Sequence, residues 1–144
     1  MQECGECTLC CKLLETHGIY SPIGEYCKNC NPEKGCTIYE YRPKECRDYQ
    51  CMWSQAPRVG KELRPDRCNI IFDKISDKTI VGAQVPFTKI TPIISGQIDA
   101  FNREGFSVFI SCGNRKDMFL APYHKHEDIY KEINDSSILH RRSN

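Results

Sequence analysis

Sulfur is the chemistry this sequence offers. Nine of its eleven cysteines fall within the first 51 residues, at positions 4, 7, 10, 11, 27, 30, 36, 46 and 51, and only Cys68 and Cys112 occupy the remaining 93. Four thiolates held tetrahedrally at about 2.3 Å close a structural zinc site. A Cys-x-x-Cys turn aims two sulfurs at one ion while backbone N–H groups point toward them. Cys4-x-x-Cys7 and Cys27-x-x-Cys30 are two such knuckles with 19 residues between them, a spacing that matches a zinc ribbon. Cys10, Cys11, Cys36, Cys46 and Cys51 are then left over. Iron–sulfur clusters also take four thiolates, and Cys4-x-x-Cys7-x-x-Cys10 copies the first three positions of the bacterial ferredoxin run. Cys11 then follows at once, with no Cys-Pro where the fourth ligand would stand. The radical-SAM triplet is absent, because Leu14 occupies the place of its third thiol. Zinc and iron–sulfur both remain open, since each accepts tetrahedral sulfur.

A disulfide framework is the competing use of so many thiols. The count is odd, adjacent Cys10 and Cys11 pair poorly with each other, and Met1–Glu6 carries no basic region followed by an apolar run. The expected compartment is therefore the reducing cytoplasm, where a thiol-rich segment is more often a metal site.

Cys4-x-x-Cys7-x-x-Cys10-Cys11, followed by Cys27, Gly35-Cys36-x-Ile38-Tyr39-x-x-Arg42-Pro43-x-x-Cys46-Arg47 and Cys51, resembles the CxxCxxCC cysteine-cluster family, described as a zinc- or iron-chelating domain. The resemblance covers residues 4–51. It implies eight ligands: Cys4, Cys7, Cys10, Cys11, Cys27, Cys36, Cys46 and Cys51. Cys30 departs from the pattern, since relatives usually carry an apolar residue there, and it stands as a substitute ligand. Relatives include a flagellin lysine N-methylase, so an enzyme modifying protein side chains is an alternative function. No residue here matches a methyl-donor site, however, and there is no glycine-rich phosphate loop. A third reading is a protein-interaction module in which the metal is purely structural.

Lys12, Lys28, Arg42, Lys44 and Arg47 lie among these thiols, where cations would offset the negative charge of a thiolate-rich centre. Tyr39, Tyr41, Tyr49 and Trp53 are expected to supply the small segment's core and its contact with the rest, rather than a base-stacking surface. Arg64, Arg67 and the His140-Arg141-Arg142 tail are too sparse for a nucleic-acid face. His124-x-His126 is a poor ligand pair, since side chains two apart diverge. Cys68 and Cys112 read as small buried apolar residues.

The elements that must position the thiols divide the 144 residues into a cysteine-cluster module over 1–55, a connector over 56–68 and a small α+β half over 69–144. Glycines and prolines punctuate the first stretch, which has room for short helices at Thr8–Glu15 and Pro43–Tyr49. It holds too little aliphatic surface to fold by itself, so the expected fold is an irregular, metal-organised cysteine-rich module followed by β-β-α-β-β-α. Strands are expected at Asn69–Asp73 and Thr79–Val85 around Ser76-Asp77-Lys78. A helix capped by Thr91 with Pro92 in its first turn runs to Gly105. Phe106–Ile110 and Asp117–Ala121 form a second hairpin across Gly113-Asn114, and Ile129, Tyr130 and Ile133 mark a last helix. A net charge of +1 supplies no field that would draw the chain to nucleic acid or an acidic membrane. No apolar run reaches the length of about 18 residues that a membrane span requires. A protein partner fits the composition; the oligomeric state is not legible.

Overall fold

The structure is a computed structural model, and it describes Cys10 and residues 29–31, 33–41, 44–48, 51–55 and 60–135. It is an α+β fold built on a four-stranded mixed sheet. Two very short strands, β1 (Cys30–Asn31) and β2 (Gly35–Cys36), form a separate antiparallel ribbon. Two short helices follow, α1 (Lys44–Asp48) and α2 (Met52–Gln55). A 3-10 turn over Lys61–Leu63 leads into α3 (Pro65–Cys68). Then come β3 (Ile70–Lys74), β4 (Thr79–Gln84), α4 (Pro92–Arg103), β5 (Ser107–Cys112), β6 (Arg115–Phe119) and α5 (His126–Asp135). From β3 onward the order is the expected β-β-α-β-β-α.

The sheet order is β3-β4-β5-β6, antiparallel at both outer pairs and parallel between β4 and β5. A parallel pair needs a crossover, and α4 supplies it. Strands covered on both faces read as continuous apolar runs rather than alternating ones, which describes Ile80-Val81 in β4 and Val108-Phe109-Ile110 in β5. Successive residues serve opposite layers. Ile80, Val108 and Ile110 join Ile94, Ile98 and Phe101 of α4, while Val81 and Phe109 pack with Ile129 and Ile133 of α5. Gly82 belongs to the first layer: a Cβ there would stand 3.0 Å from Ile70 and 3.2 Å from Phe72, so no larger residue fits without a shift.

Local chemistry sets the boundaries. Thr91 Oγ1 accepts from Ile94 N–H at 3.3 Å, Pro92 takes the first turn, and Gly105 leaves the helix at φ 93°. The second hairpin is tighter than the sequence suggested. Cys112 pairs directly with Arg115 across the two-residue turn, so β5 extends two residues past Ile110 and β6 begins two residues before Asp117. Residues 60–68 are part of the folded body. Leu63, Pro65 and Cys68 are buried there, and Asn69 at φ 61° caps α3 and turns the chain straight into β3. Two turns, Val85–Thr88 and Ala121–His124, place Phe87 and Tyr123 at positive φ and fully exposed, positions usually filled by glycine or asparagine.

A polar cluster closes the lower end of the sheet. Thr79 and Ser107 are partners on β4 and β5, and both are fully buried. Glu132 of α5 accepts from Thr79 Oγ1, from Ser76 Oγ at 2.8 Å, and faces Lys78 Nζ at 3.7 Å. Desolvation pushes the Glu132 carboxyl upward, but the two hydroxyls and the ammonium outweigh it and hold its pKa below the ordinary 4.5. A depressed carboxylate contributes stability above its unfolded pKa and loses it as pH falls through the folded one. Glu132→Gln should therefore cost about 1–2 kcal/mol at neutral pH. The penalty should shrink as pH falls below 4.5, and urea titrations of both proteins at several pH values check it.

Candidate metal centre

Of the nine predicted or substitute ligands, the structure describes Cys10, Cys30, Cys36, Cys46 and Cys51; Cys4, Cys7, Cys11 and Cys27 lie outside the described residues. So do the predicted Thr8–Glu15 helix apart from Cys10, and Lys12, Lys28, Arg42 and Tyr49. Among the described residues, no three histidine, cysteine, aspartate or glutamate side chains converge on a common point. Two thiols do meet.

They are Cys30 and Cys36, which sit directly opposite each other on the β1–β2 ribbon. The chain reverses between them through a turn that its own polar groups close. Lys34 N–H donates to the Asn31 carbonyl at 3.0 Å, and Glu33 N–H donates to Asn31 Oδ1 at 2.9 Å. On the other side, Thr37 grips the Asn29 carbonyl twice, through its N–H and its Oγ1, both at 2.8 Å. That bond fixes the phase of the ladder. Antiparallel partners alternate between hydrogen-bonded and non-hydrogen-bonded pairs, and Asn29 with Thr37 is a bonded one. Cys30 and Cys36, one step along, therefore form a non-bonded pair, in which the side chains come closer and share a face. Both are half-buried. Two soft donors on one face suit zinc or iron.

The other described thiols are more scattered. Cys10 is exposed, and Cys46 is half-buried in α1. Beside Cys46, Lys44 is engaged by Asp48 within the helix, and this hydrogen bond holds the Asp48 carboxyl below its usual range. Lys44 is thus committed to a partner other than a thiolate. Cys51 is buried in the sheet's own core together with Trp53, Leu63, Cys68 and Ile70, and its carbonyl accepts from Ser54 Oγ at 2.8 Å. The aromatics divide. Trp53 is 8% exposed and forms the expected contact with the rest of the fold, whereas Tyr39 and Tyr41, at 62% and 83%, supply no core. Their 3-10 turn buries none of its three residues.

Cys68 is buried, as its composition suggested, and its thiol lies 3.2 Å from the Ile70 carbonyl. Burial pushes its pKa up, and the charge of nearby Asp66 pushes it the same way. It is built as a neutral thiol. Cys112 is only half-buried, 3.6 Å from the Val85 carbonyl.

One arrangement went unread in the sequence. Ser107 Oγ lies 2.7 Å from His124 Nδ1, the spacing of a nucleophile and its base. The serine is fully buried, and its oxygen also accepts from Ala121 N–H at 2.9 Å; the histidine tautomer sets which partner donates in the Ser107–His124 bond. The pair ties the β6–α5 loop to β5. No local signal announces a contact between residues 17 apart. His126 stacks on Tyr130 instead of joining His124.

Comparison with protein-family models, with curated proteins and with solved structures finds no match to this chain. The resemblance to the CxxCxxCC family thus rests on the cysteines and the Cys36–Cys46 element quoted above.

The state of Cys68 generates a test. Cys68→Ala should leave metal content unchanged and lower stability by about 1–2 kcal/mol, the loss of a small buried group. Elemental analysis and a denaturant melt check it, and a lost metal equivalent would put Cys68 among the ligands.

Proposed function

We propose that the protein binds a thiophilic metal through its cysteine cluster, holding zinc or an iron–sulfur cluster with Cys4, Cys7, Cys10, Cys11, Cys27, Cys36, Cys46 and Cys51 as the candidate ligands. The observation that carries this reading is the concentration of nine thiols in 51 residues. The distribution of buried surface supports it. Among the residues from 29 to 48 whose burial is described none is buried, whereas the apolar core draws on residues 51–133. A segment so poor in buried apolar groups needs another source of order, and metal–thiolate bonds supply it. The metal would give the segment its fold and, were it an iron–sulfur cluster, a site for one electron. Methyl transfer gains no residue from this arrangement. No helix among the described residues is long and apolar enough to cross a membrane.

Elemental analysis of protein purified without oxygen should find zinc or iron in stoichiometric amount. Visible thiolate-to-iron absorption distinguishes the second from colourless zinc. Removing the metal with a chelator should expose amides in residues 29–48 to hydrogen exchange while β3–β6 keep their protection. Metal-free protein with unchanged exchange in both regions would refute the proposal.

A further inference from the structure

We infer that Cys30 and Cys36 bind the same metal ion, so that Cys30 is a full ligand although the eight-cysteine pattern omits it. This rests on the metal-binding reading above and adds to it a residue and a pairing. The argument begins with the ladder. Cys30 and Cys36 are Cα partners, and the Thr37-to-Asn29 hydrogen bond makes them a non-bonded pair with both side chains on one face. Cβ atoms of directly opposed residues stand about 4.5–5.5 Å apart. A non-bonded pair also falls within the Cα span of about 4.4–6.8 Å that a disulfide accepts, so the redox state of the thiols decides between the two uses. Two sulfurs bound tetrahedrally at about 2.3 Å lie about 3.8 Å from each other, a span that opposed side chains reach by leaning inward. Both cysteines are free thiols here, and in that state the ribbon accommodates a bridging ion.

Preorganisation points the same way. The reversal is closed by Asn31 through backbone and side chain, and the open end is held by both donors of Thr37. Such a short ribbon buries little and gains little from its few ladder bonds, so its turn residues must define it. The result is two soft donors at a fixed separation before any ion arrives, which lowers the ordering cost of binding. Half-burial keeps both thiols reachable. Cys30 also closes the Cys27-x-x-Cys30 spacing, so a single residue belongs to the sequence knuckle and to the cross-strand pair.

The test uses the full chain with zinc and with cobalt(II), whose thiolate charge-transfer intensity follows the number of sulfurs on the ion. Cys30→Ser and Cys36→Ser should each lose the same one ion, and the double variant should lose no more than either alone. Cys112→Ser should keep the parental count. Because a variant may be misfolded, the parent supplies a second measurement. With zinc bound, Cys30 and Cys36 should both resist alkylation, and on chelation both should become reactive together, as read by peptide mass spectrometry. A parent that binds neither ion ends the metal-binding reading itself. A parent that binds metal while Cys30→Ser keeps the full count overturns this inference alone. So does a double variant that loses two ions, alkylation of Cys30 while Cys36 stays protected, or a Cys30–Cys36 disulfide that forms in saturating zinc.

Discussion

The four-stranded body of this chain is organised around the parallel contact between β4 and β5. Their side chains are buried on both faces, so each strand demands a helix above and another below. The crossover α4 meets the first demand and α5 the second. Once those layers are in place, the lower end of β4 and β5 is sealed from water, and Thr79 and Ser107 must find partners there. Glu132 and His124 supply them, so the polar contacts of the last helix and its loop follow from the apolar pairing. Gly82 marks how close this packing is, since the space a Cβ would need is already taken by Ile70 and Phe72.

Among the described residues, the cysteine-rich region joins that core through Cys51 and Trp53. Cys51 and Trp53 share a core with Leu63, Cys68 and Ile70, which makes Cys51 a member of both halves of the protein. Were Cys51 to hold a metal as proposed, it would join two equilibria: metal bound there would stabilise the sheet, and a well-formed sheet would raise affinity for the metal. Residues 60–68, with Leu63 and Cys68 beneath α2, take part in that seam.

The sequence was most readable where one kind of signal dominates. Apolar runs located all four sheet strands, and Thr91-Pro92 with Gly105 framed α4, because caps and breakers act on their immediate neighbours. Boundaries at Cys112 and Arg115 were missed by two residues, since ladder pairing overrides weak strand propensity right up to a tight turn. Leu63, Pro65 and Cys68 looked like connector because proline, arginine and aspartate surround them; only the fold reveals that three residues of that polar stretch point inward. Tyr39 and Tyr41 were expected inside and stand in solvent, for aromaticity cannot tell which surface will be covered. Within the candidate site, the knuckle spacing identified Cys30 as a metal-type residue. Its partner across the ribbon depends on register, which the linear spacing of cysteines does not encode.

That register also restricts how the hairpin can vary over time. Side chains alternate faces along a strand, so adding or deleting one residue between Asn31 and Gly35 while the ladder re-forms would send one of the two sulfurs to the opposite side. A change of two would preserve their alignment, whereas the flanking residues Glu33 and Lys34, both exposed, can be exchanged for others at little cost. Loop length here should therefore be held far more tightly than loop composition, the reverse of what is usual for an exposed turn.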